Sequence, residues 1–228
     1  MKNLSRVVIS LAAIAVVVGP AAAGMTLRIT GGPGSGPGRG GEFHIEPLSG
    51  WNFTPVRQGL LDDPFRFETF CVERTEYISL GNTYYAELST GATRGGGPGD
   101  FDPLCEQTAY LYSQFINGDL DGYDYTGGTR ADSAVALQDV IWYLEGEISK
   151  TWSDGDGSLQ DTFYQDALAH AEPGNFYKVR VLNLWRHYDG QDFAGYAQDQ
   201  LVMVPAPGAA VLGALGVAGV IWIRRRLG

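Results

Sequence analysis

Two side chains in this chain could react with each other if the fold brings them together. The thiolate of Cys71 could attack the side-chain amide of Gln138, expel ammonia and leave an intramolecular thioester. That reaction needs rigid orientation of the two groups and a site that excludes water, because water would hydrolyse the product. The thioester would then be an electrophile for an amine or a hydroxyl on a partner surface.

Gln138 lies in a segment with the pattern of a buried helix. Residues 131–147 read ADSAVALQDVIWYLEGE, and only Gln138 and Asp139 interrupt the apolar central part. Asp132 is the expected N-cap. Gln138 falls beside the apolar face of this helix. A buried amide without partners costs about 1–3 kcal/mol, so Gln138 either bonds to a neighbouring loop or is placed for the thioester reaction.

The elements around these two residues mix strands and helices. Alternating aromatic and polar residues predict a strand that carries Cys71, and the helices fall in the middle of the chain. We predict strands over 65–80, 82–88, 177–185 and 197–205, and helices over 103–118, 131–147 and 158–171. The expected fold is therefore α+β, with a β-rich body, sandwich or barrel-like, and a central helical insertion.

The order of three short motifs resembles the thioester domain of bacterial surface adhesins. They are FCVE at 70–73, TAYLYSQF at 108–115 and LQDVIW at 137–142. The resemblance implies that Cys71 supplies the sulfur, that Gln138 supplies the acyl group and that Trp142 shields the bond. Leu137 departs from the pattern, since that family commonly has a small hydroxyl residue there.

Cys105 offers an alternative partner for Cys71. In an exported protein with two cysteines, a Cys71–Cys105 disulfide is the default expectation. Gln138 would then be an ordinary hydrogen-bonded amide. Both interpretations stay open at the level of sequence.

The two ends of the chain predict export. Residues 1–23 have a basic start, an apolar run and an Ala-x-Ala site, which is typical of a signal peptide. At the other end, Pro205 and Pro207 precede an apolar run that three arginines close, and the positive-inside rule keeps such a cluster cytoplasmic. These arginines are Arg224, Arg225 and Arg226.

This C-terminal segment resembles the PEP-CTERM sorting signal, which combines a short Pro-containing motif, a transmembrane helix and a basic cluster. The resemblance implies processing by an exosortase-like membrane enzyme. The motif reads Pro-Ala-Pro here and lacks the acidic middle residue of that family. We accordingly divide the chain into a signal peptide (1–23), a Gly/Pro-rich linker (24–42), a thioester-like extracellular domain (43–203) and a sorting signal with a transmembrane helix (204–228).

Composition narrows the classes of function. The part between the two terminal signals carries all 26 Asp and Glu but only 11 of the 16 Lys and Arg, a net charge of about −15. Such a surface argues against nucleic-acid binding, which needs basic patches. Acidic turns at 117–124 and 153–161 lack the spacing and the closing Glu of an EF-hand. We expect no metal, no cofactor and no catalytic residues of an enzyme.

The sequence thus predicts an exported protein that is held in the membrane by its C-terminal helix before processing, and then resides at the cell surface or in the extracellular matrix. Its expected role is adhesion to extracellular polysaccharide or to a surface protein through the thioester-type domain. One alternative is a noncovalent structural or carbohydrate-binding β-domain with the disulfide. A secreted hydrolase is another, because pairs of carboxylates that meet only in space leave no sequence pattern.

Overall fold

The structure, a computed structural model, describes residues 24–35, 40–57, 65–93 and 101–205. The predicted signal peptide and nearly all of the predicted sorting signal lie outside these ranges. Within them, none of the helices has the length and apolar composition that crossing a membrane requires. The fold is α+β, and its elements follow in chain order as β1 (Met25–Gly31), β2 (Phe43–Ser49), β3 (Phe67–Thr69), β4 (Thr83–Ser89), β5 (Gly91–Thr93), β6 (Phe101–Pro103), α1 (Glu106–Asn117), α2 (Arg130–Leu144), α3 (Leu159–His170), β7 (Val179–Tyr188) and β8 (Phe193–Met203).

Six strands form an antiparallel sheet in the order β3-β2-β1-β4-β7-β8, and β5 pairs with β6 separately. The chain just after β3 also bonds to β8, at the opposite edge of the sheet. The amide of Leu201 donates to the carbonyl of Phe70 at 3.0 Å, and the amide of Val72 donates to the carbonyl of Asp199 at 3.0 Å. Cys71 lies between these two bonds and forms an isolated antiparallel bridge with Gln200. The sheet therefore curls until its two edges meet at Cys71.

The three helices lie between β6 and β7 in the chain, which confirms the predicted central helical insertion. The side chain of Cys105 caps α1, and the left-handed Gly118 ends it. Ser158 caps α3 by accepting a hydrogen bond from the amide of Asp161. The helices pack through one apolar cluster that includes Leu111, Phe115, Leu137, Ile141 and Phe163, all of which are fully buried.

Three predictions about element boundaries are wrong. Of the strand predicted over 65–80, only Phe67–Thr69 forms a strand, and Cys71 lies after it in an isolated bridge. The predicted linker over 24–42 contains β1, a central strand of the sheet, because Met25, Leu27 and Ile29 alternate with more exposed residues and bury one face. Asp132 is not the N-cap of α2, since that helix already begins at Arg130 behind Thr129, which makes no side-chain capping bond. Packing stabilises α2 without a capping side chain, since eight of its residues are buried.

Candidate functional site

The structure brings Cys71 and Gln138 into direct contact. The amide nitrogen of Cys71 donates to Oε1 of Gln138 at 3.0 Å, and Nε2 of Gln138 donates to the carbonyl of Cys71 at 2.7 Å. Neither residue is exposed to solvent. The orientation of the Gln138 amide is fixed, because exchanging its oxygen and nitrogen would set donor against donor and acceptor against acceptor.

This pairing exists because the strand ladder stops at Thr69. Phe43 of β2 is opposite Thr69 of β3, so continuing the ladder by two residues would place Gly41 opposite Cys71. The Gln138 amide lies there instead. Its Oε1 accepts a second hydrogen bond, from the amide of Gly41 at 3.4 Å. The side chain of α2 thus satisfies backbone groups that β2 leaves unpaired, as buried polar groups require.

Two backbone N–H groups on one carbonyl oxygen have a chemical consequence. They withdraw electron density from the Gln138 carbonyl carbon and would stabilise the negative charge that a tetrahedral intermediate places on Oε1. An oxyanion hole in an acyl-transfer enzyme does the same. The arrangement therefore favours nucleophilic attack on Gln138, and the Cys71 side chain belongs to the very residue that donates one of the two bonds.

The sulfur of Cys71 is held by a residue that the sequence did not single out. Nε2 of Gln200 in β8 donates to Sγ of Cys71 at 3.3 Å, and Gln200 is fully buried. Burial raises the pKa of the Cys71 thiol to about 12, the hydrogen bond from Gln200 lowers it, and the charge of Glu73 raises it. The thiol is thus protonated at neutral pH, and attack on Gln138 must pass its proton to the leaving ammonia.

Glu73, whose charge acts on the Cys71 sulfur, is paired with a second buried carboxyl group, Asp199. Burial and the charge of Asp199 raise the pKa of Glu73 to about 9, and burial raises that of Asp199 to about 7. Oε2 of Glu73 accepts a long hydrogen bond of 3.4 Å from the Asp199 amide, while no described residue bonds to its Oε1. Asp199 accepts from the amides of Thr93 and Leu184 at 2.8 and 2.7 Å and from Asn183 at 2.6 Å. Because Asp199 has these donors and the Glu73 carboxyl has only one long hydrogen bond from a described residue, Glu73 keeps its proton to a higher pH than Asp199 does.

Gly40 and Trp142 close the site on the outer side. Gly40 has a φ of +67°, and a Cβ at this position would lie 2.7 Å from the Trp142 ring and 2.8 Å from Cγ of Gln138. Trp142 is only 7 % exposed, and the guanidinium of Arg74 lies 5.9 Å from its ring centroid. Trp142 thus lies close to Gln138, and its shielding of a thioester stays a prediction.

A surface cleft of about 1090 Å³ lies above this closure. Gly40 and Trp142 form part of its wall, together with the acidic residues Asp139 and Glu147 and the apolar Ile148. The carboxylate of Glu147 accepts from the amide of Arg74 at 2.9 Å. A partner group that reached Gln138 from solvent would pass through this cleft and displace Trp142.

A buried ion pair anchors the glycine segment. Arg130 at the start of α2 donates to both oxygens of Glu42, at 2.6 and 2.9 Å, and the hydroxyl of Tyr123 donates to the same carboxylate at 3.0 Å. Glu42 is fully buried. Because Glu42 directly follows Gly41, this ion pair fixes the position of the Gly41 amide that bonds to Gln138.

Glu42 also belongs to the group of side chains whose ligand atoms come near enough for a metal ion. One atom each of Glu42, His44 and Glu68 lie within 4.8 Å of one another. The fork of Arg130 already covers both oxygens of Glu42, and its positive charge opposes a cation there. The charge of Arg130 therefore disfavours a metal ion at this group of side chains.

The remaining predicted site residues lie elsewhere. Cys105 forms no disulfide with Cys71, since both are free thiols in the structure, and Sγ of Cys105 accepts from the Thr108 amide at 3.4 Å. In the two acidic turns, the carboxylates of Asp124 and Asp156 accept bonds from their own loops. Pro205 lies two residues after Met203, the last residue of β8. Pro207, Arg224, Arg225 and Arg226 fall outside the described residues.

The chain matches no protein-family model, and comparison with curated proteins and with solved structures finds no significant similarity. The site must therefore be interpreted from its own geometry.

Proposed function

We propose that the described part of this chain is a thioester-type adhesive domain, in which Cys71 and Gln138 form an internal thioester that captures a nucleophile on a partner. The observation that carries the proposal is the position of the Gln138 carbonyl. It accepts from the Cys71 and Gly41 amides in a fully buried place, and Cys71 carries the one fully buried thiol among the described residues. A merely structural amide needs hydrogen bonds, but it does not need a cysteine as its partner.

The chemistry proceeds in two balanced steps. In the first, the Sγ–C bond forms, the C–N bond of the Gln138 amide breaks, and the thiol proton leaves with ammonia. In the second, the nitrogen of a partner amine or the oxygen of a hydroxyl bonds to the same carbon, the C–S bond breaks, and the nucleophile's proton returns to the sulfur. The partner is an extracellular polysaccharide or a surface protein.

The terminal segments complete the proposal. The chain is exported through the signal peptide of residues 1–23 and held by a transmembrane helix within residues 204–228. An exosortase-like membrane enzyme processes it, and the product resides at the cell surface or in the extracellular matrix. The body is barrel-like rather than a sandwich, which the backbone bonds between the two edges of the six-stranded sheet support. The protein is a binding protein and not an enzyme.

A second candidate is a noncovalent carbohydrate-binding module. It is favoured by a groove of about 410 Å³ with aromatic and amide side chains, among them Phe53, Asn52, Gln191 and Phe193. In this case the Gln138 amide would remain intact.

Methylamine incorporation distinguishes the two candidates. The purified protein is incubated with methylamine, digested and mapped by mass spectrometry. The thioester proposal expects a methylamide on Gln138 in the wild type and none in the Cys71→Ala variant, because an intact glutamine amide does not exchange with amines under mild conditions. Unmodified Gln138 in the wild type would favour the noncovalent module.

A further inference from the structure

Gln200 is the one described side chain outside the Cys71–Gln138 pair that bonds to a reacting atom. Gln200 and Cys71 face each other in an antiparallel bridge, which directs both side chains to the same side of the sheet. The distance from Nε2 of Gln200 to Sγ of Cys71 is 3.3 Å. Gln200 is fully buried, so no water competes for this contact.

The amide of Gln200 is held in one orientation. Its Nε2 also donates to the carbonyl of Gln198 at 3.0 Å, and a carbonyl can only accept. The nitrogen must therefore face both Gln198 and the sulfur. The oxygen Oε1 of the same amide has no hydrogen-bond partner among the described residues. This oxygen is free to accept a hydrogen bond from a further donor, and the N–H groups of leaving ammonia or of an incoming amine are of the right kind.

We propose that Gln200 is a catalytic residue of the thioester chemistry and stabilises the negative charge on the Cys71 sulfur. The proposal rests on the proposed function. When an amine attacks the thioester, the electron pair of the breaking C–S bond goes to the sulfur before a proton from the amine neutralises it. The N–H of Gln200 points at the sulfur during that step. The Cys71 and Gly41 amides donate to Oε1 of Gln138. The negative charge on this oxygen and the negative charge on the sulfur are therefore stabilised by different donors.

The test measures the rate of methylamine capture by intact mass, with the full chain. Gln200→Met keeps the length of the side chain and removes the donor. We expect capture to slow by about ten- to a hundredfold, as for loss of a hydrogen bond to a charged group. The same factor is expected with hydroxylamine, because the donor acts on the leaving sulfur and not on the nucleophile. If Gln200→Met does not fold, Gln200→Asn takes its place. The shorter side chain keeps an amide but moves its N–H away from the sulfur, and the same slowing of capture is expected.

Thr69→Val is the matched control. Thr69 is buried at the same junction and donates to the carbonyl of Leu201 in β8 at 2.7 Å, with no bond to the sulfur. This variant should lose stability like the Gln200 variants but capture methylamine within about twofold of the wild-type rate.

The outcomes separate the two proposals. A thioester in the wild type together with unchanged capture rates in Gln200→Met or Gln200→Asn would overturn the role of Gln200 alone. A wild-type protein without a thioester would overturn that role and the proposed function together. Slow capture in the Gln200 variants and near-normal capture in Thr69→Val would support it.

Discussion

The side-chain amide of Gln138 makes with the backbone of Cys71 the two hydrogen bonds that a neighbouring strand would make. A helix side chain thus extends a sheet at the point where its two edges meet. The same contact places the Gln138 carbonyl carbon beside the residue that carries the thiol. Strand pairing, helix packing and the proposed chemistry all depend on this one contact.

Loss of the Gln138 side chain should destabilise the fold strongly. Gln138→Ala leaves three buried backbone groups without partners, the N–H and C=O of Cys71 and the N–H of Gly41. We expect the free energy of unfolding in urea to fall by about 3 kcal/mol. Gln165→Ala, on the exposed face of α3, should change it by about 0.5 kcal/mol or less. Equal effects of the two substitutions would contradict the bonding described here.

A methyl group at Gly40 should disturb the site beyond its backbone strain. Gly40→Ala would press on Trp142 and Gln138 at 2.7 and 2.8 Å. Gly81 provides the comparison, since its φ of +84° is equally unfavourable for alanine but a Cβ there meets nothing within 4 Å. We expect Gly40→Ala to cost about 1–3 kcal/mol more than Gly81→Ala in thermal or chemical unfolding. Similar losses in both variants would mean that the Gly40 contact is not tight.

The ion pair between Arg130 and Glu42 should matter far more than a surface pair. Arg130→Met leaves the buried carboxylate of Glu42 without its cation and should cost about 3–5 kcal/mol. Arg28→Met removes a partner of Glu46 in an exposed pair at 3.3 Å, and about 0–1 kcal/mol is expected there. Urea unfolding of both variants measures the difference. A loss below about 1 kcal/mol for Arg130→Met would show that Gly41 is held by other contacts.

The carboxyl group of Glu73 should make the fold less stable as pH rises. Burial and the charge of Asp199 raise its pKa in the folded state to about 9, against an ordinary value of 4.5. The folded state thus binds more protons than the unfolded state between these values, so stability falls with rising pH in this window. Glu73→Gln removes this titration and should be less sensitive to pH from about 5 to 9 than the wild type. Unfolding curves at several pH values measure the two slopes, and parallel slopes would contradict the raised pKa.

Local patterns in the sequence predicted much of this fold. The end of α1 at Gly118, the start of α3 next to Ser158 and the strands β4, β7 and β8 follow from residues that are close in sequence. β1 was missed because its Met-x-Leu-x-Ile alternation is short and runs directly into the Gly/Pro-rich stretch. The N-cap of α2 was missed because tertiary packing, not a capping side chain, sets its start.

The site was predicted only in part, for a physical reason. Cys71 and Gln138 stand out because a thiol and an amide have a known reaction and because an amide is unusual in an apolar helix. Gln200, Glu73 and Gly41 carry no such signal. Their roles arise where β8, the segment after β3 and the glycine segment converge, and that convergence depends on long-range pairing that spacing in the sequence does not encode.

The intact mass of the freshly purified wild-type protein, without any added amine, tests the thioester between Cys71 and Gln138 most directly. The account predicts a mass lower than the calculated mass of the mature chain by one ammonia molecule, and no such deficit in Cys71→Ala. A mass lower by only two hydrogen atoms would indicate the Cys71–Cys105 disulfide, and a full mass would indicate free thiols. Either of these results would contradict the thioester and leave Gln138 as a structural amide.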